Sequence, residues 1–180
     1  MNYIKEYARS LSLSKSESGR QFLADMEEIL SKKEIENMMV YRHHMRVNRY
    51  QHLLSVSYLS YVATKREGLN YIETAKAAMM HDLFYYDYKD KIKYPKRHNY
   101  IHPDTALLNA EKIMQLSDLQ KEIIRSHMWP LVSPKPNSKE AKIVCKMDKI
   151  CSVLECIYSV FSGKKKHISN TETKGDNACD

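Results

Sequence analysis

At five places that read as helix starts, a Ser or Asn stands three residues ahead of a Glu or Gln: Ser18 with Gln21, Ser31 with Glu34, Asn70 with Glu73, Ser117 with Gln120, and Asn137 with Glu140. At that spacing the first side chain accepts from the backbone N–H three residues on, and the second reaches back to the first backbone N–H. Two donors orphaned at a helix start are satisfied together. Little else in the sequence opposes helices. There are 4 Gly and 5 Pro, and apolar residues rarely alternate with polar ones. The expected fold is an all-α bundle of about six to seven helices, drawn over 19–30, 32–42, 47–66, 71–82, 103–115, 118–128 and 138–161. Pro103 fits a first helical turn and places His102 at an N-cap. Pro130 ends the helix before it near His127 or Met128.

With 180 residues, one domain is expected over 1–162, with N-terminal helices 19–42 packed on it. Residues 163–180 carry few apolar side chains and read as a disordered tail. No apolar run approaches the ~20 residues of a membrane span, and the start MNYIKEYARS lacks the apolar stretch of a secretory signal. Cys145, Cys151, Cys156 and Cys179 form no C-x-x-C pair and read as reduced thiols of a cytoplasmic protein. The net charge is +7. Its clusters, Lys89 to Arg97 and Lys164 to Lys166, suit either a solvated face or attraction to a small anionic substrate. No motif points to nucleic acid or to a membrane. Met38 and Met39, read as exposed, leave room for a homodimer. His43 and His44 read as surface residues.

The stretch AAMMHDLFYYD, residues 77–87, runs small and apolar side chains into His81 and Asp82. Other polar residues share this setting. His52 lies on the stripe of Val56, Leu59 and Ala63, and His127 follows Ile123 and Ile124 at helical spacing. Asp148 borders the seam of Val144, Met147, Cys151 and Leu154. A single buried histidine is ordinarily bonded to a carbonyl. Burying two carboxylates as well costs several kcal/mol each unless cations lie between them. His52, His81, Asp82, His102, His127 and Asp148 therefore read together as a divalent metal site. Mixed nitrogen and oxygen donors suit Mn, Fe, Ni, Co or Zn better than Ca or Mg. Adjacent residues diverge by ~100° on a helix, so His81 and Asp82 reach one ion most easily at a helix end.

The order His52, then His81-Asp82, then Asp148 resembles the HD superfamily of metal-dependent phosphohydrolases, whose signature is H…HD…D on an all-α fold. NRYQHLLSV and MDKICSVLE match the flanks of its first and last ligands, and IHPDTALLNA and SHMWPL resemble the further histidines of the six-ligand branch. The resemblance implies one ion on His52, His81, Asp82 and Asp148. A second would share Asp82 and add His102 and His127, which makes Asp82 the implied catalytic centre. No Gly-Lys follows His81-Asp82 and there is no G-Y-P segment, unlike the cyclic-di-GMP phosphodiesterases. Tyr85 stands where related deoxynucleoside monophosphatases place Glu, and His127 is followed by Met128 and not by a second His.

The expected activity is hydrolysis of a nucleotide or another small phosphate ester or phosphodiester by metal-activated hydroxide, with one or two divalent ions. Arg49, one turn before His52, together with Lys96, Arg97 and Lys149, are the expected substrate-binding cations. The same six ligands also resemble those of HD-fold di-iron oxygenases, and a non-catalytic metal-stabilised module is the third alternative.

Overall fold

The computed structural model describes residues 1–43, 47–87 and 98–169, with side chains as far as Tyr158. Among the described residues the regular elements are all helical, and one isolated antiparallel bridge joins Arg42 and Asn48. In chain order the helices are α1 Tyr3–Ser10, α2 Glu17–Asp25, α3 Glu27–Leu30, α4 Lys33–Glu36, α5 Arg49–Arg66, α6 Tyr71–Met80, α7 His98–Ile113, α8 Asp118–Ser126 and α9 Lys139–Ser169.

α5 is the central element. It starts where the Asn48 side chain accepts from Gln51 N at 2.8 Å, and it buries residues all round its circumference. Such a helix needs neighbours on every side. α6 and α9 pack along it, and α1 and α2 cover the remainder. Two of the serines it buries, Ser55 and Ser57, are satisfied across the packing surface. Ser57 donates to Ala75 O at 2.7 Å and Ser55 meets Ser10 of α1 at 2.8 Å. α6 carries Ala75, Ala77 and Ala78, all fully buried, and small side chains let a helix pack closely against its neighbours. Gly68, at φ +65°, ends α5, in the left-handed conformation that glycine adopts without steric cost.

α2 docks through Phe22, whose ring meets Tyr58 and Tyr61 edge-on with centroids 5.4 Å apart in each case. Gly19 lets α2 pack tightly against the turn that precedes it, since a Cβ there would lie 2.1 Å from the Leu13 carbonyl oxygen.

Several expectations need correction. α1 was not anticipated; Asn2 caps it, and Tyr7 buries against the core. The helix expected over 19–30 is two helices, because Met26 turns into the core between them. Residues 32–42 hold the short α4 and a 3-10 turn. Met38 is fully buried, so only Met39 of that pair is exposed. α7 begins at His98 and carries Pro103 inside it, so His102 is an interior helical residue and not an N-cap. α9 continues to Ser169, and residues 163–169 are therefore helical. Lys is a good helix former, and the single Gly163 costs only about 1 kcal/mol in a helix already established. Residues 170–180 lie outside the described residues. Among the described residues no helix is long and apolar enough to cross a membrane.

Candidate metal centre

Two of the singled-out imidazoles sit where helices stop. α6 ends at Met80 and α8 at Ser126, and His81 and His127 follow directly. The last carbonyls of a helix lack an intrahelical partner. His81 Nδ1 donates to Ala78 O, and His127 Nδ1 to Ile124 O, both at 2.7 Å. One bond both satisfies the helix end and fixes the ring. Inside α7 the His102 ring is fixed in the same way but at no helix end, with Nδ1 3.2 Å from His98 O. His52, on the first turn of α5, directs Nδ1 at Glu155 Oε1 of α9, 2.8 Å away.

These bonds decide the tautomers. A carbonyl or carboxylate oxygen accepts, so the proton lies on Nδ1 in all four rings, and each neutral ring presents a bare lone pair at Nε2. The Nε2 atoms converge on two carboxylates. His52 Nε2 lies 3.3 Å from Asp148 Oδ1, and His81 Nε2 lies 3.8 Å from the same oxygen. Asp82 Oδ1 is 3.2 Å from His102 Nε2 and 3.4 Å from His127 Nε2. Its Oδ2 is 3.9 Å from His81 Nε2. Asp82 thus stands between the imidazoles of α6, α7 and α8, while Asp148 faces those of α5 and α6.

The donor chemistry fits a cation. His102 Nε2 and His127 Nε2 lie 2.9 Å apart with both Nδ1 protons committed elsewhere, so two lone pairs face each other beside a carboxylate oxygen. Asp82 Oδ1 and His81 Nε2 are buried without an aligned hydrogen bond. Such a concentration of electron pairs is stable only with positive charge among them, either protons or metal ions. His52, His81 and Asp148 offer one compact set of ligand atoms, and His81, Asp82 and His127 offer another.

The titration tendencies agree. Burial alone would strip the proton from His52, but Glu155 and Asp148 outweigh it and hold its pKa up at about 10. Burial alone would protonate Asp82, but the imidazoles of His81 and His102 outweigh it and keep the carboxyl well below its ordinary value. Asp148 is likewise held low, by His52 and His81 against its burial. Burial pushes His127 downward.

The cluster opens into a cavity of about 540 Å³, whose walls include Arg42, His43, Phe84, His98, Met128 and Ser152. Arg49 belongs to that wall, although it is almost wholly buried. Its guanidinium donates to the carbonyls of Phe84 and Tyr86 and stacks 3.6 Å from the Phe84 ring centroid. It clamps the chain that leaves His81-Asp82. Lys149 does not serve the cavity. Its Nζ donates to Cys145 O at 3.0 Å and His127 O at 3.3 Å, and it lines a separate groove beside Trp129. The residue after Asp148 is turned about 100° from it around α9, which explains the correction. Lys96 and Arg97 lie outside the described residues.

Two residues at the site escaped the sequence reading. His43 is not a surface residue. Its ring stacks 3.7 Å from that of His52, with Nδ1 3.9 Å from Asp82 Oδ2. A short reversal of the chain brings it there: Arg49 N donates to Tyr41 O and His43 N to Val47 O. Glu155, buried against His52, lies seven residues after Asp148 and so shares its helix face; that spacing was a usable signal. His44 lies outside the described residues.

An all-helical fold here gathers imidazoles and carboxylates around an open cavity in groups that could hold a metal ion. The family called HD domain matches residues 49–152, more than half of the chain, and includes all six of the singled-out residues. The chain belongs to the HD domain family, whose members are generally metal-dependent phosphohydrolases, and family and cluster together point to divalent metal binding. No curated protein and no solved structure matches the chain.

Proposed function

We propose that this protein is a metal-dependent phosphohydrolase acting on a nucleotide or another small phosphate ester or phosphodiester. The observation that carries the reading is the convergence of four Nε2 lone pairs on Asp82 and Asp148 at the floor of an open cavity. In this reading His52, His81, Asp82 and Asp148 hold one divalent ion, and Asp82, shared, joins His102 and His127 around a second. Divalent ions supply Lewis acidity, which acidifies water and neutralises charge on phosphoryl oxygens. The protein's own contribution is arrangement. The Nδ1 bonds fix the rings before any ion arrives, so little reorganisation is needed. The cavity has the size of small-molecule sites, about 300–1,000 Å³. Arg42 and Arg49 raise the potential along its wall and attract an anion. Arg49 acts mainly through its field, since its N–H groups already serve carbonyls.

The test is to strip the purified chain with chelator and reload it separately with Mn, Fe, Co, Ni and Zn. Ion content is then measured, with phosphate release from monoesters and cleavage of phosphodiesters. Metal-dependent hydrolysis is expected, with Asp82→Ala lowering kcat at least 10³-fold while the circular dichroism spectrum stays helical. Hydrolysis by a folded Asp82→Ala protein at the wild-type rate overturns the assignment. So does iron-loaded protein that turns over only with oxygen and releases no phosphate.

A further inference from the structure

Glu155 lies three residues beyond the family match, yet it is the most completely buried carboxylate at the site, with 0% of its side chain exposed. It touches one imidazole of the cluster, His52, at 2.8 Å. The other three imidazoles give their Nδ1 protons to neutral backbone carbonyls, those of Ala78, Ile124 and His98. An anionic acceptor draws the Nδ1 proton more strongly than a carbonyl and leaves more electron density at Nε2. His52 therefore has an acceptor of a different class from its neighbours.

The surroundings concentrate this effect. Glu155 Oε2 is buried with no aligned hydrogen bond, and the His43 Nε2 atom is 4.0 Å from it. Among the described residues the carboxylate charge is not dispersed into a network of donors, and its short contact is with the His52 ring. On the other side of that ring, Nε2 faces Asp148. A cation at His52, His81 and Asp148 thus feels two carboxylates along the His52 axis. A cation among Asp82, His102 and His127 has backbone carbonyls, and among the described residues no carboxylate, behind its imidazoles.

We propose that Glu155 is a positioning residue that makes His52 the strongest imidazole donor of the cluster. As a result the cation position of His52, His81 and Asp148 binds its ion more tightly than the position of Asp82, His102 and His127. The proposal rests on the two-ion reading given above.

The test is titration of chelator-stripped full-length protein with Mn²⁺ or Co²⁺, bound ion being measured by equilibrium dialysis. Wild type should show two steps of unequal affinity. Glu155→Gln keeps a neutral acceptor for Nδ1 and removes only the charge. It should weaken the tighter step about 10–100-fold and leave the weaker step within about twofold. His102→Ala should abolish the weaker step and keep the tighter one; if Glu155→Gln fails to fold, Glu155→Asp, which keeps the charge but shortens its reach to His52, should weaken the tighter step and spare the weaker one. The proposal is overturned by a folded Glu155→Gln protein whose tighter step is unchanged, by loss of the tighter step in His102→Ala, or by a single step in wild type. Failure of the parent reading is distinct: wild type would then take up no divalent ion, or would take up ions and hydrolyse no phosphate ester.

Discussion

At the scale of single residues, position in sequence foretold that a side chain would be unusual better than it foretold the use made of it. His52, His81, Asp82, His127 and Asp148 stood out because polar groups on apolar stripes need compensation, and the structure brings all of them together with His102. Arg49 was legible only as a charge near His52. Its engagement with the carbonyls of Phe84 and Tyr86 gives it a structural duty as well. A planar guanidinium serves two acceptors at fixed geometry, whereas an ammonium does not. Arg49→Lys should therefore lower the free energy of unfolding by about 1–3 kcal/mol through the buried carbonyls it leaves unsatisfied, as read by urea denaturation. An unchanged midpoint would show that the clamp contributes nothing.

At the scale of elements, the start signals were a good guide to where helices lie and a poorer one to their caps. Ser117 and Gln120 form the full reciprocal box at the start of α8. α2 is capped instead by Ser16, two residues ahead of the expected Ser18, and Ser138 rather than Asn137 accepts from the first turn of α9. Candidates one or two residues apart differ little in intrinsic preference, so packing selects among them. The start of α9 also draws on α8, because Glu122 accepts from Asn137 N at 2.6 Å and Ser138 N at 3.0 Å. Burial would raise the Glu122 pKa, but these backbone donors outweigh it and hold it below its ordinary value. A depressed carboxyl contributes stability above its unfolded pKa of 4.5 and loses it as pH falls through the lower folded value. Glu122→Gln should destabilise the protein at pH 7 by about 1 kcal/mol, a modest figure because the group is partly solvated. The difference from wild type should shrink below pH 4.5. A pH series of urea melts on both proteins checks this, and a constant difference at every pH would contradict it.

At the scale of the whole molecule, the cluster ties folding to whatever positive charge occupies it. Without metal, the His52 proton fills part of that need, with its pKa held up at about 10. A raised histidine contributes stability that is complete below the unfolded pKa of 6.5 and is lost as pH rises through 10. Chelated protein should lose stability between those limits, while metal-loaded protein should keep it, because an ion bound only by the folded state stabilises by mass action, about 2.7 kcal/mol at 100 times its Kd. Thermal melts with chelator and with Mn²⁺ at pH 6.5 and pH 9.5 measure both effects, and parallel pH profiles would refute the linkage. The helical class, the apolar stripes and the ordered donors H…HD…H…H…D were all determined by the sequence itself, because helical periodicity and the cost of burying charge act locally along the chain. The stacking of His43 on His52, the pairing of Glu155 with the His52 ring and the engagement of Arg49 with the Phe84 and Tyr86 carbonyls were decided only by tertiary structure. Each depends on the distance between residues on separate elements, or on the rotation of one helix against its neighbours, and local periodicity specifies neither.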